Sequence, residues 1–133
     1  MGELVSWKDE YNTGCKVIDD QHKKLFQIIN ELFAAFEAAY AGSQVPIILK
    51  QLEDYTVYHF QTEEKMFEQY NFPLAREHKA EHQYFVDKIK KFKQDLETGN
   101  KQMIAFEIMM TLKDWLIDHI LVNDRKYIPY LCK

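Results

Sequence analysis

Apolar residues recur every three or four positions in four separate stretches of the chain. That is the spacing of a helix that buries one face. The first stretch runs from about 19 to 40 and carries Leu25, Phe26, Ile29, Phe33 and Phe36. The second runs from about 45 to 70 with Ile48, Leu52, Tyr55 and Met66, and the third from about 74 to 97 with Phe85, Ile89, Phe92 and Leu96. The fourth starts near 101 and carries Ile104, Ile108, Leu112, Trp115 and Leu116. Gly42, Pro46, Pro73 and Gly99 separate them, as residues that end or start helices. Pro129 is expected beyond the fourth helix or in a final turn. Residues 1–18 read as an arm, with Gly14 in a turn and Trp7 packed on the helices. Connections this short make neighbours antiparallel, so the pattern predicts an all-α, up-down-up-down four-helix bundle over about 19–128.

Composition agrees with one domain spanning 1–133. Hydrophobic residues make up 47% of the chain, enough for a core, and Gly and Pro are few. The net charge of −4 excludes a general nucleic-acid footprint. The basic run "DKIKKFKQD" (87–95) alternates with Ile89 and Phe92 and reads as the solvated face of a helix. No apolar run is long enough for a bilayer, and the N-terminus lacks the basic and apolar regions of a secretory signal. Its match to M-G-x-x-x-S is too short to carry weight. The expected location is cytoplasmic. Cys15 and Cys132 form no C-x-x-C pair and sit beside no histidine. They are expected as reduced thiols, with a bridge between the chain ends left open.

The histidines change the picture. His22 lies on the apolar stripe of the first helix and His59 on that of the second. His78 and His82 start the stripe of the third, and His119 ends that of the fourth. Glu63 shares the buried face one turn after His59. In an up-down-up-down bundle these places fall at one end. A single core histidine is usually a hydrogen-bonded packing residue, and an isolated H-x-x-x-H is weak evidence of metal binding. Five imidazoles and a carboxylate buried in one layer are not explained by packing, because unsatisfied polar groups are costly to bury.

The segments "DDQHKKL" (19–25), "HFQTEEKM" (59–66), "HKAEH" (78–82) and "HILVND" (119–124) together resemble the hemerythrin family, in particular its single-domain bacterial members. The resemblance extends from Trp7 to "WLIDHILVNDRKYIPYL". It implies a non-haem di-iron centre, with two iron ions per chain and an oxo or hydroxo bridge. His78, His82 and His119 would hold one iron, and His22 and His59 the other. Glu63 and Asp124 would bridge them. Two octahedral irons so ligated keep one open position, where dioxygen would bind. The five-residue step from His119 to Asp124 turns about 140° on a straight helix, so it needs either an offset approach or a π-bulge.

Oxygen-activating di-iron bundles use Glu-x-x-His motifs. No histidine here has a glutamate three residues before it, and neither a Ser/His/Asp triad nor a Gly-rich phosphate loop is present. The resemblance therefore implies reversible dioxygen binding for transport, storage or delivery to an oxygen-consuming enzyme, by a monomer that is not itself an enzyme. Peroxide or nitric oxide reduction and sensing of O2, redox state or iron are the alternatives. In the family, apolar residues of the fourth helix line the O2 pocket. The corresponding candidates are Trp115, Leu116 and Ile120, with Ile28 and Ile29 two turns beyond His22. Ordinary core packing accounts for them equally well.

Overall fold

A computed structural model describes residues 5–37, 41–98 and 101–132. Gly99 and the first four residues of the M-G-x-x-x-S match lie outside the described residues, as do the side chains of Phe36, Ile104 and Ile108. Four long helices form the molecule: α1 (Lys16–Glu37), α2 (Ala41–Gln69), α3 (Ala75–Thr98) and α4 (Lys101–Asp118). Each packs on its neighbours in sequence, and α4 closes on α1, as expected of a four-helix bundle. Beyond α4 the chain continues as a π turn (His119–Asn123), a 3-10 turn (Asp124–Tyr127) and a short α5 (Ile128–Leu131) with Pro129 in its first turn.

Two expected boundaries shift. α2 starts at Ala41, so Gly42 lies in its first turn and Pro46 within the helix. So near the start of a 29-residue helix, the missing proline N–H costs only one bond of the ladder, the one to the carbonyl of Gly42. The arm is also shorter than predicted, because α1 begins at Lys16.

The joints that orient the site have identifiable causes. Asn71 takes a left-handed conformation (φ 55°) after α2, and the Phe72 N–H reaches back to the Phe67 carbonyl at 3.0 Å. This is a Schellman ending, completed by contact between the Phe67 and Phe72 rings. At the other joint, Gly14 has φ +91°, which a side chain would strain. Asp19 accepts hydrogen bonds there from the Thr13 N–H and hydroxyl and from the Gly14 N–H. Trp7 packs edge-on against Tyr11 and Phe26, and Asn30 pairs with both backbone groups of Val5, so the arm is laid along α1.

The cysteines overturn their expectation. Cys15 and Cys132 form a disulfide, their Cα atoms 5.0 Å apart. The turns after Asp118 fold the chain end back against the start of α1, a closure that periodicity cannot show. The bridge removes the free thiols on which the inference of a reducing compartment rested. Among the described residues no helix is long and apolar enough to cross a membrane.

The core falls into two parts. A large cluster includes Leu25, Ile29, Leu52, Phe85, Ile89, Leu112 and Leu116. A smaller one comprises Cys15, Ile18, Phe67, Phe72, Tyr127 and Leu131. In sequence His22, Glu63 and Asp124 fall between residues of the two clusters, and His78 and His82 lie between Phe72 and Phe85. His59 and His119 stand next to Phe60 and Ile120, the large-cluster residues nearest the small cluster on their stretches.

Candidate metal centre

Each long helix brings one part of a polar layer into the core. α1 supplies His22, α2 supplies His59 and Glu63, α3 supplies His78 and His82, and the end of α4 leads into His119 and Asp124. All seven side chains are buried, none more than 3% exposed. The five-residue step from His119 to Asp124 is taken by the π turn, whose closing bond runs from the Asp124 N–H to the His119 carbonyl. A π turn brings residues five apart onto one side, and His119 Nε2 lies 2.8 Å from Asp124 Oδ1.

The Nε2 atoms converge on the two carboxylates. His78 Nε2 is 2.9 Å from Asp124 Oδ1 and His22 Nε2 is 3.0 Å from Asp124 Oδ2. His82 Nε2 and His59 Nε2 approach Glu63 Oε1 at 3.2 and 3.5 Å. Two groups of donors result, with each group's atoms within 4.8 Å of one another. One is Glu63, His78, His82 and His119. The other is His22, His59, Glu63 and Asp124. Glu63 is common to both, and Asp124 touches histidines of both.

These contacts are close, yet several are not hydrogen bonds. His22 Nδ1 and Nε2, His82 Nε2, His119 Nδ1 and Nε2, Glu63 Oε1 and Asp124 Oδ2 are buried without a hydrogen-bond partner. Buried polar atoms are normally paired. Five of these atoms, the three Nε2 nitrogens and the two carboxylate oxygens, face one another across the layer, so their lone pairs aim at shared points between the side chains, whereas the two Nδ1 atoms lie on the far sides of their rings. Imidazole and carboxylate donors suit divalent first-row metals, and two donor groups sharing carboxylates fit a two-metal centre.

Supporting partners surround this layer, and sequence reasoning missed them. His59 Nδ1 pairs with Gln21 Oε1 at 2.7 Å, and His82 Nδ1 with Glu64 Oε2 at 2.8 Å. The buried Tyr127 hydroxyl donates a short hydrogen bond to Glu63 Oε2. Such contacts orient ligands and tune their basicity. Each was within reach of the sequence: Gln21 precedes His22, Glu64 follows Glu63, and Tyr127 lies one 3-10 turn after Asp124. Aromatic rings complete the setting. Phe60 stacks on His82 with centroids 3.8 Å apart, and Trp115 on His119 at 4.5 Å. Leu116 and Ile120 are buried in the large cluster beside these rings.

The charges respond to this packing. Burial drives the His59 pKa down to about 4, only partly offset by Glu63. Burial also opposes a charged His82, but the carboxylates of Glu63 and Glu64 on either side of its ring outweigh it and raise His82 to about 9. For Glu63, burial and the Asp124 charge oppose ionisation, and the imidazoles of His59 and His82 prevail, bringing it to about 2.

The comparisons with known proteins agree with this geometry. The model of the hemerythrin HHE cation-binding domain matches residues 13–131. A bacteriohemerythrin of Pseudomonas aeruginosa is 32% identical over 128 residues, covering 96% of this chain and 81% of that protein. A hemerythrin-like protein of Naegleria gruberi is 37% identical over 122 residues, covering 92% of this chain and 89% of that one. The crystal structure of a wild-type hemerythrin superposes with a TM-score of 0.85 at 29% identity, covering 98% of this chain and 99% of that chain. The chain belongs to the hemerythrin family.

Proposed function

We propose that this protein binds dioxygen reversibly at a pair of non-haem irons. His78, His82 and His119 would hold one iron and His22 and His59 the other, with Glu63 and Asp124 spanning both. The bound irons would supply the electrons for reversible capture of O2. The observation that carries the reading is the single buried layer of donor atoms left without hydrogen-bond partners. The chain's own groups then have distinct tasks. Gln21 and Glu64 fix two imidazole rings, and Tyr127 holds one oxygen of Glu63. Trp115, Leu116 and Ile120 form an apolar wall beside His119 that would keep water from the ligand. With five imidazoles and only two carboxylates, the donor set is poorer in anions than that of oxygen-activating di-iron bundles. That favours a carrier, serving transport, storage or delivery to an oxygen-consuming enzyme, over an oxygenase.

The test is an optical titration of the reduced, iron-loaded protein with O2, followed by evacuation. The expected result is close to two irons per chain by elemental analysis and a spectrum that returns on removing O2. One metal per chain, or sustained turnover of peroxide or nitric oxide with no reversible O2 spectrum, would overturn it.

A further inference from the structure

The segment that carries Asp124 is the least regular part of the bundle. After Asp118 come a π turn, a 3-10 turn and a helix of four residues. None of these is long enough to hold its shape without tertiary contacts. Besides the burial of Tyr127 and Leu131 in the small cluster and the contacts of Asp124 with His22 and His78, several specific attachments fasten the segment. The Tyr127 hydroxyl bonds Glu63, Arg125 Nη1 bonds the Glu10 carbonyl at 2.7 Å, the Tyr130 ring meets Phe72, and Cys132 is bonded to Cys15. Only the last is covalent. It joins the segment of Asp124 and Tyr127 to the start of α1, the helix that carries His22. The α1 end of this link is fixed in turn by Asp19 and by the left-handed Gly14, whose added Cβ would lie 3.7 Å from the Cys132 carbonyl. Cys15 is buried, whereas Cys132 is partly exposed at the edge of the small cluster.

We propose that the Cys15–Cys132 disulfide is a redox-responsive staple: it keeps Asp124 and Tyr127 in the metal centre, and its reduction by a dithiol loosens residues 119–132 and speeds metal loss. The staple rests on the metal reading above for its consequence, though not for its mechanics. In the exchange, a thiolate of the dithiol attacks Sγ of Cys132, the more accessible sulfur. The disulfide breaks, and Cys15 leaves as a thiolate and takes a proton. The second thiol of the reductant then closes its own disulfide and releases Cys132. Two electrons and two protons pass from the dithiol to the pair. The segment would then open locally, as weakly held parts of a fold do.

Two measurements on the full chain test this, both made without oxygen on ferrous protein. The first is hydrogen exchange of the 119–132 peptides before and after dithiothreitol. The second is the half-life for passing iron to a ferrous chelator. Reduction is expected to raise exchange in 119–132 above that of α3, and to shorten the iron half-life by about fivefold or more. The double variant Cys15→Ser/Cys132→Ser is expected to match the reduced protein and to ignore dithiothreitol, which separates the bond from any effect of the reagent on iron. If that variant folds poorly, the reduced wild-type protein carries the comparison. Unchanged exchange would show that the segment stands without the bond and would overturn the proposal. So would faster exchange with an unchanged iron half-life. If neither form retains iron, the metal reading itself fails and the coupling falls with it, whereas failure of the staple alone leaves two irons tightly held in both forms.

Discussion

Tyr127 isolates the contribution of one proton donor to the buried layer. Its ring is fully buried against Phe67 and Phe72, and its hydroxyl donates to Glu63 Oε2. Burial raises its pKa well above 10, and the charges of Asp124 and Glu63 add to this, so it remains a donor across the working pH range. Tyr127→Phe keeps the ring and removes the donor. A carboxylate oxygen is then left buried without its partner, which costs about 1–3 kcal/mol. The expected outcome is that loss in the urea unfolding free energy of the metal-free protein at pH 7, with helical content unchanged. A variant as stable as wild type would mean that Glu63 finds another donor when the hydroxyl is absent.

At the scale of elements, the four helices were legible because their apolar stripes run through to the last buried turns, Leu96 in α3 and Leu116 in α4 among them. The convergence of His22, His59, His78, His82 and His119 was legible for the same reason, since each continues a stripe. The π turn was not. A five-residue step admits two geometries, and no residue type marks one of them; the choice appears only in the bond from the Asp124 N–H to the His119 carbonyl. The Cys15–Cys132 pairing depends on that turn and the two after it, so it was hidden with them. The role of α4 beside His119 also exceeds what periodicity can say. Leu116 is 3% exposed, so Leu116→Ala is expected to cost about 2–5 kcal/mol in unfolding free energy whether the residue is core or pocket wall. Only a wall also excludes water from the ligand, and then the variant, with iron content unchanged, oxidises irreversibly in air faster than wild type. Absorbance decay at fixed temperature and pH decides between the two; an unchanged rate would make Leu116 core alone.

For the whole molecule, folding and metal uptake are linked through protons. In the metal-free protein His82 is held protonated up to about 9, mainly by Glu63 and Glu64 acting against burial. Its contribution to stability is complete below the unfolded value near 6.5 and is lost as pH rises from there through 9. His59 acts in the opposite sense. Burial lowers it to about 4, so between 6.5 and 4 the unfolded chain takes up a proton that the folded chain refuses, and stability falls as pH drops through that window. The metal-free fold should accordingly lose stability on both sides of about 6.5 through these two groups. A metal-ligating histidine must be neutral, so loading the site must expel the His82 proton. His22 adds to this, because Asp124 raises its pKa despite burial. Apparent affinity for a divalent probe such as Co2+ is therefore expected to rise about tenfold or more from pH 7 to 8, and to level off above 9. Over the same interval the gap in Tm between loaded and metal-free protein should widen, because the metal-free fold weakens while the loaded one keeps its neutral imidazoles. Glu64→Gln removes one of the charges that hold the proton on His82, so it should flatten the affinity profile and narrow the gap. Calorimetric titrations at the two pH values in buffers of different ionisation enthalpy count the protons directly. Release of no proton at pH 7 would show that His82 is already neutral before metal arrives, and that the polar layer is poised for metal without help from pH.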